Sequence, residues 1–221
     1  MAEKKEVAEC FKKTYITPQG EASYPHLVEP QTKYNEDGLY DVTMYFDEQS
    51  GGRLIETLSE AYNKACEEAK ARYEEQKPQY KKDNPKIDFE QFYREEVDDN
   101  GFSTGRIFVK FKKKAKIKTK DGKVLQMKVA VFDRYNQPLP EEAAKKASSG
   151  SIMKCAFKVS PYFVPAGAKA GISLQLDAVQ IIEAKEWTGK KSASDYGFQS
   201  FEDEDGAAFA ERAGAEGEAD F

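Results

Sequence analysis

The sequence predicts a mainly β protein with one long helix set between its strands, on three observations. Several short runs alternate apolar and polar residues with a period of two, the pattern of half-buried strands. One stretch beginning at Arg53 changes to spacings of three and four. The C-terminal stretch is acidic, rich in Gly and Ala, and poor in the aliphatic residues that build a core.

In chain order, Cys10 to Ile16 is the first short strand run, with Phe11, Lys13 and Tyr15 on one face. His26 follows in a Pro-flanked stretch that reads as irregular. From Gly38 to Phe46 the alternation puts Tyr40, Val42, Met44 and Phe46 on one side. Leu54, Leu58, Ala61, Tyr62, Ala65, Ala69 and Tyr73 then form one face of an amphipathic helix running to about Gln76. Pro78 and Pro85 end it, and Asp88 with Gln91 reads as the cap of a short second helix through Glu96. The result is a helical insertion over about residues 53–98, closed by the turn signal Asn100-Gly101.

The run after Gly105 is the most informative. Ile107, Val109, Phe111, Ala115 and Ile117 share one face of a strand, while Phe108, Lys110, Lys112, Lys114, Lys116 and Lys118 share the other. Lys113 interrupts the apolar face and marks a bulge or the barrel rim. Beyond a hairpin turn at Asp121-Gly122, Leu125, Met127, Val129 and Val131 face inward, leaving Gln126, Lys128, Ala130 and Phe132 outward. In the strand from Ile152 to Tyr162, Met153, Cys155, Phe157 and Val159 are apolar, with Lys154, Lys158 and Tyr162 opposite. The last strand places Ile172, Leu174, Leu176 and Ala178 inward and Ser173, Gln175 and Asp177 outward. Short half-buried strands with one helix close most economically as an OB-fold-like β-barrel. The expected organisation is a barrel domain over 1–185 and a flexible, disordered acidic tail over 186–221.

Charge is segregated along the chain. From Asp195 to Phe221 nine acidic residues face Arg212 alone, a net of −8, so the preceding residues carry +3 of the total −5. From Arg106 to Lys128 the net is +9. Such asymmetry points to a polyanionic partner and an acidic interaction arm.

Other chemistries lack their residues. Three scattered cysteines and one histidine form no zinc set, disulfide framework or nucleophile–base pair. No glycine-rich phosphate loop is present. Hence no catalytic residue, no metal and no cofactor is expected. No apolar run approaches the roughly 18 residues of a membrane span, and no secretory signal opens the chain. A cytoplasmic protein with no membrane partner is expected.

Evenly spaced lysines on a strand can follow a phosphate backbone, and interleaved aromatics (Phe108, Phe132, Tyr162, Tyr15 and Tyr45) offer stacking faces for unpaired bases. A duplex hides its base faces, so the aromatics favour single strands. The candidate set for single-stranded DNA (ssDNA) is Lys13, Tyr15, Phe108, Lys110, Lys112, Lys114, Lys116, Lys128, Phe132, Lys154, Lys158 and Tyr162. The same lysines also read as a solvated, aggregation-resistant edge, and composition alone does not choose. The tethered acidic tail can compete with nucleic acid for the groove. Its end, with Asp220 and the terminal aromatic Phe221, suits a basic pocket with an apolar floor on a partner.

The chain resembles the single-stranded DNA-binding proteins of tailed bacteriophages, which pair an OB-fold with an acidic tail ending in Phe. The residues that carry the resemblance are Gly38-Leu39-Tyr40-Asp41-Val42-Thr43-Met44, the helix with Glu67-Glu68-Ala69 and Tyr73-Glu74-Glu75 before Pro78, and Val109-Lys110-Phe111-Lys112. Ser160-Pro161-Tyr162, Gly171-Ile172-Ser173-Leu174-Gln175-Leu176 and the terminal Glu218-Ala219-Asp220-Phe221 complete it. The resemblance implies a non-catalytic replication and recombination factor that coats ssDNA. It also implies a tail that recruits replication proteins such as DNA polymerase and helicase/primase. By the same resemblance Lys110, Lys112, Lys154 and Tyr162 fall in DNA-contacting segments, and Phe221 is the partner-contacting end. Tail-to-groove exchange would join two subunits as a homodimer or fold back within one. Two other readings stand beside it: a protein-interaction factor, and a metal-dependent nuclease using Glu95, Glu96, Asp98 and Asp99.

Overall fold

The periodicities become strands and helices in a computed structural model that describes residues 7–33, 35–119 and 121–186. Trp187 and the whole tail from 188, with Asp220 and Phe221, lie outside the described residues. The chain begins with α1 (Glu9–Lys12), β1 (Thr14–Ile16), β2 (Gly20–Gln31) and β3 (Leu39–Phe46). An insertion follows, made of α2 (Glu48–Glu74), α3 (Pro78–Asp83), β4 (Asp88–Phe89) and β5 (Tyr93–Val97). Then come β6 (Ser103–Lys114), β7 (Lys116–Lys118), β8 (Val124–Gln126), β9 (Ala130–Phe132), α4 (Glu141–Ala144), β10 (Ile152–Val164) and β11 (Lys169–Glu183).

β2, β3, β6, β11 and β10 pair in that order, and β10 returns to β2, so five strands close on themselves. The β6–β11 ladder is parallel and the others are antiparallel. This is an OB-like barrel. Alternation fills it: Val42, Met44, Phe46, Val109, Phe111, Met153, Cys155, Phe157 and Leu176 are fully buried.

α2 lies across β10 and β11 on the face formed by Gly51, Leu54, Leu58, Ala61, Ala65 and Ala69. Its start is set by Asp47, whose carboxylate accepts the Ser50 N–H at 2.8 Å. That hydrogen bond holds the Asp47 carboxyl below its usual range. Gly51 permits the close approach of the first turn, because a Cβ there would sit 2.7 Å from Ile107. Among the described residues no helix is long and apolar enough to cross a membrane.

Several expectations are corrected. Residues 88–96 form no helix. Asp98 accepts the N–H groups of Asn100 and Phe102, making a tight turn that folds β5 onto β6. The stretch around His26 is the twelve-residue β2, with its prolines at the register shifts, where a missing ladder donor does no harm. Cys10 and Phe11 belong to a helical turn. Lys113 sits at the rim, its ammonium 3.4 Å from Asp177, and the β3–β6 ladder runs through it without a bulge. The bulge is in β11, where the register shifts opposite Ala156/Phe157, so Val179 and Ile181 fill the core and Ala178 does not. Ile117 and Leu125 are exposed, because β7 and β8 pair only with each other.

Candidate nucleic-acid interface

Strand parity that buries one face of β6 turns Phe108, Lys110 and Lys112 outward, and the neighbouring strands set what stands beside them. Tyr45 of β3 and Arg94 of β5 flank Phe108, with the Tyr45 and Phe108 ring centroids 5.4 Å apart. Thr43 pairs with Lys110. Lys112 lies between Asp41 of β3 and Gln175 of β11, and Gln175 in turn pairs with Lys158 of β10. These rows border an open cleft of about 620 Å³ lined by Thr43, Phe92, Tyr93, Arg94, Phe108, Lys110, Lys112, Tyr162 and Ser173.

Tyr162 is fixed in the cleft from below and from the side. It pairs with Gly171, where a Cβ would meet the Glu90 carbonyl at 2.8 Å and the Tyr162 hydroxyl at 3.0 Å. The hydroxyl donates to Glu90 Oε2 at 2.7 Å, and Lys169 donates to Glu90 Oε1 at 2.8 Å. Burial first, and the Glu90 carboxylate second, push the Tyr162 phenol well above the usual tyrosine range. The hydrogen bonds from Lys169 and Tyr162 hold Glu90 below the usual carboxylate range. The insertion supplies the opposite wall. Phe92 packs against Tyr62 of α2 and edge-on against Tyr93, at centroid distances of 6.0 and 5.3 Å. Burial of Tyr62 pushes its hydroxyl up to about 12. Beneath the lysines, buried Asp41 contacts Lys110 Nζ at 2.6 Å and His26 Nδ1 at 2.8 Å.

Four of the expected residues, Phe108, Lys110, Lys112 and Tyr162, therefore meet in one cleft, and Lys158 lies in the next row. Lys114 is exposed at the end of β6, and Lys116 stands on the β7–β8 hairpin. Tyr15 is a correction. It is 6% exposed, stacks on Phe157 at 5.7 Å and donates its hydroxyl to the Cys10 carbonyl, because β1 turns it inward against β10. Lys13, beside it, remains exposed. Lys154 and Phe132 flank Gln180, about 23 Å further along β11 than Ser173 at 3.3 Å per residue. Lys128 is bound by Glu141 at 2.7 Å. These three do not reach the cleft.

Arg94, Phe92, Tyr93, Thr43 and Glu90 were not anticipated. The run Phe92-Tyr93-Arg94 carried the same cationic and aromatic signal as β6, hidden by its reading as a helix. Two of the four acids considered as metal ligands are otherwise engaged: Glu96 receives the Thr104 hydroxyl and Arg106, and Asp98 closes the turn. Among the described residues no three His, Cys, Asp or Glu side chains are placed to hold a metal ion.

A closed five-stranded barrel with a cationic, aromatic-walled cleft on its outer face is an architecture of oligonucleotide-binding proteins. Residues 19–184 match the family described as single-stranded DNA-binding protein, bacteriophage T7, and the chain belongs to that family of binding proteins rather than enzymes. Among solved structures the chain is similar to gp2.5, a single-stranded DNA-binding protein encoded by bacteriophage T7. The TM-score is 0.63 at 19% identity, over 86% of this chain and 96% of that one. It is also similar to the single-stranded DNA-binding protein of bacteriophage Enc34, at 15% identity and a TM-score of 0.50 over 84% of this chain and 90% of that one. The same Enc34 protein in complex with ssDNA gives a TM-score of 0.52, over 85% of this chain and all of that one. At these identities the likeness is one of fold. No curated protein matches the chain.

Proposed function

We propose that the chain coats ssDNA with little sequence preference, holding it in the cleft between β5, β6 and β11. The observation that supports this most is the meeting of Arg94, Lys110 and Lys112 with Phe92, Phe108 and Tyr162 in one open cleft. Phosphates meet the cations and base faces meet the rings, an arrangement tolerant of sequence because every base has a π-face. Lys158 and Lys114 extend the cationic surface around this cleft, and Lys13 and Lys154 add charge elsewhere on the barrel. The work is replication and recombination of phage DNA in the host cytoplasm. The barrel domain ends near residue 185, and the acidic tail competes for the cleft. Through Asp220 and Phe221 the tail recruits proteins such as DNA polymerase and helicase/primase, and exchange of tails between two clefts gives a homodimer.

The test is fluorescence anisotropy of labelled oligothymidine and a matched duplex across a salt series, with the full chain and a chain ending at Ser194. Single-strand preference with a steep salt dependence, tightened by removing the tail, is the expected result. Equal affinity for duplex and single strand would reduce the cleft to a generic cationic surface. No tightening on truncation would remove tail competition.

A further inference from the structure

The β7–β8 hairpin stands apart from the barrel sheet. Its two strands pair only with each other, Lys116 with Gln126, Ile117 with Leu125 and Lys118 with Val124. A lone two-stranded hairpin is marginal in water. Even so, this one leaves Ile117, Val124 and Leu125 40%, 48% and 49% exposed, among the exposed Lys116, Lys118 and Lys123. Both of its limbs are anchored at the end of β6. Ala115 is buried, its N–H donates to the Gly38 carbonyl at 3.0 Å, and its carbonyl accepts the Met127 N–H at 2.8 Å.

Two further facts indicate what covers this surface. The hairpin continues the strand that carries the cleft lysines, and Lys112 and Lys116 are separated by about 13 Å of extended chain. That is on the scale of two nucleotides of single strand. Moreover, several lysines of the barrel have a carboxylate at short range: Lys110 has Asp41, Lys113 has Asp177, Lys128 has Glu141 and Lys145 has Glu29. Among the described residues, Lys112, Lys114, Lys116, Lys118 and Lys123 have no carboxylate within salt-bridge distance. An uninterrupted line of uncompensated cations thus leaves the cleft and runs onto a hairpin with a bare aliphatic pair.

We infer that the β7–β8 hairpin is a second ssDNA-binding surface, which takes the strand as it leaves the cleft. The strand passes over the edge of the two-stranded ribbon: Lys116 and Lys118 on one face and Lys123 on the other meet phosphates, and the Ile117–Leu125 pair, on the face of Lys123, meets base faces. This rests on the ssDNA reading of the cleft. Single-stranded DNA fits better than an acidic protein segment because the unpaired lysines begin inside the cleft itself and continue without a break.

The experiment compares the full chain with a triple variant, Lys116→Ser with Lys118→Ser and Lys123→Ser, and a double variant, Ile117→Ser with Leu125→Ser. These are exposed positions, and thermal unfolding checks that each variant is folded. Each is titrated with oligothymidine of about 5 and about 16 nucleotides, the range one barrel of this kind covers. The triple variant is expected to bind the short oligomer as the parent does and the long one about tenfold more weakly at low salt. Its logarithmic salt slope for the long oligomer should be shallower by about 2, from about 0.7 per lost phosphate contact. The double variant is expected to weaken the long oligomer with its slope unchanged. A control, Lys110→Ser with Lys112→Ser, should weaken both lengths. Parent-like binding by the control would overturn the cleft reading. Parent-like binding of the long oligomer by both hairpin variants, while the control is weakened, would overturn the hairpin inference alone. Loss of self-association in place of DNA affinity in those variants would overturn it in favour of a protein contact.

Discussion

The outer surface over β3, β5, β6 and β11 and the surface around β9 and α4 are built from the same kinds of residue, yet they differ in what those residues are bound to. Both display lysines and a half-buried phenylalanine, Phe108 on one and Phe132 on the other. Around α4 the cations are consumed locally: Lys128 by Glu141, Lys145 by Glu29 and Lys146 by Glu186. Of the cations lining the cleft, Lys110 has a carboxylate, the buried Asp41, while Lys112 and Arg94 have none within salt-bridge distance among the described residues. Exposed ion pairs add little to stability, so the pairing around α4 chiefly sets local potential. The two surfaces differ in how their basic residues are paired, and a lysine count alone cannot show that difference.

The largest expected effect tests the contrast directly. Charge reversal by Lys110→Glu with Lys112→Glu is expected to lower ssDNA affinity on the order of 100-fold at low salt, read by anisotropy. Next, Tyr162→Ala should cost about 1–3 kcal/mol of binding, the worth of a stacked base, with the salt slope unchanged. A slope change would mean that Tyr162 acts through a phosphate and not a base. Glu90→Gln probes the support of that ring. Glu90 and burial together raise the Tyr162 phenol, so removing the carboxylate charge should move its ultraviolet titration down toward the ordinary range. No movement would show that burial alone sets it. Tyr15→Phe should leave ssDNA affinity untouched and lower stability by about 1 kcal/mol in urea, since it removes one buried hydrogen bond to Cys10. Smallest of all, Lys128→Ser should change affinity less than about twofold, because Glu141 already neutralises it. A large loss there would erase the distinction between the two surfaces.

Much of this was legible because alternation is a local property. Tyr40, Val42, Met44 and Phe46 went inward as read, and Phe108, Lys110 and Lys112 went outward, since parity follows from the backbone of one strand. Tyr15 obeyed the same rule and was still misjudged, because which face of β1 meets the barrel depends on Phe157, far away in the chain. Leu125 failed for a related reason. A strand pattern promises burial only if another layer arrives to cover it, and no layer covers the hairpin among the described residues. The Phe92-Tyr93-Arg94 wall was missed because its charged run suits a short helix as well as a strand. The hydrogen bonds that decide for a strand come from β6, across the turn at Asp98.

The sequence by itself determined the mainly β class, the long helix on its Leu and Ala face and the lysine face of β6. These follow from periodicity and composition, which need no knowledge of distant residues. Only the tertiary structure decided that β10 closes onto β2, that a bulge in β11 turns Val179 and Ile181 inward, and that Tyr162 stands over Gly171 under the hold of Glu90. It also decided which lysines keep their charge uncompensated. Closure, register and pairing join residues far apart in the chain, and no local pattern specifies which strand or carboxylate will arrive beside a given side chain.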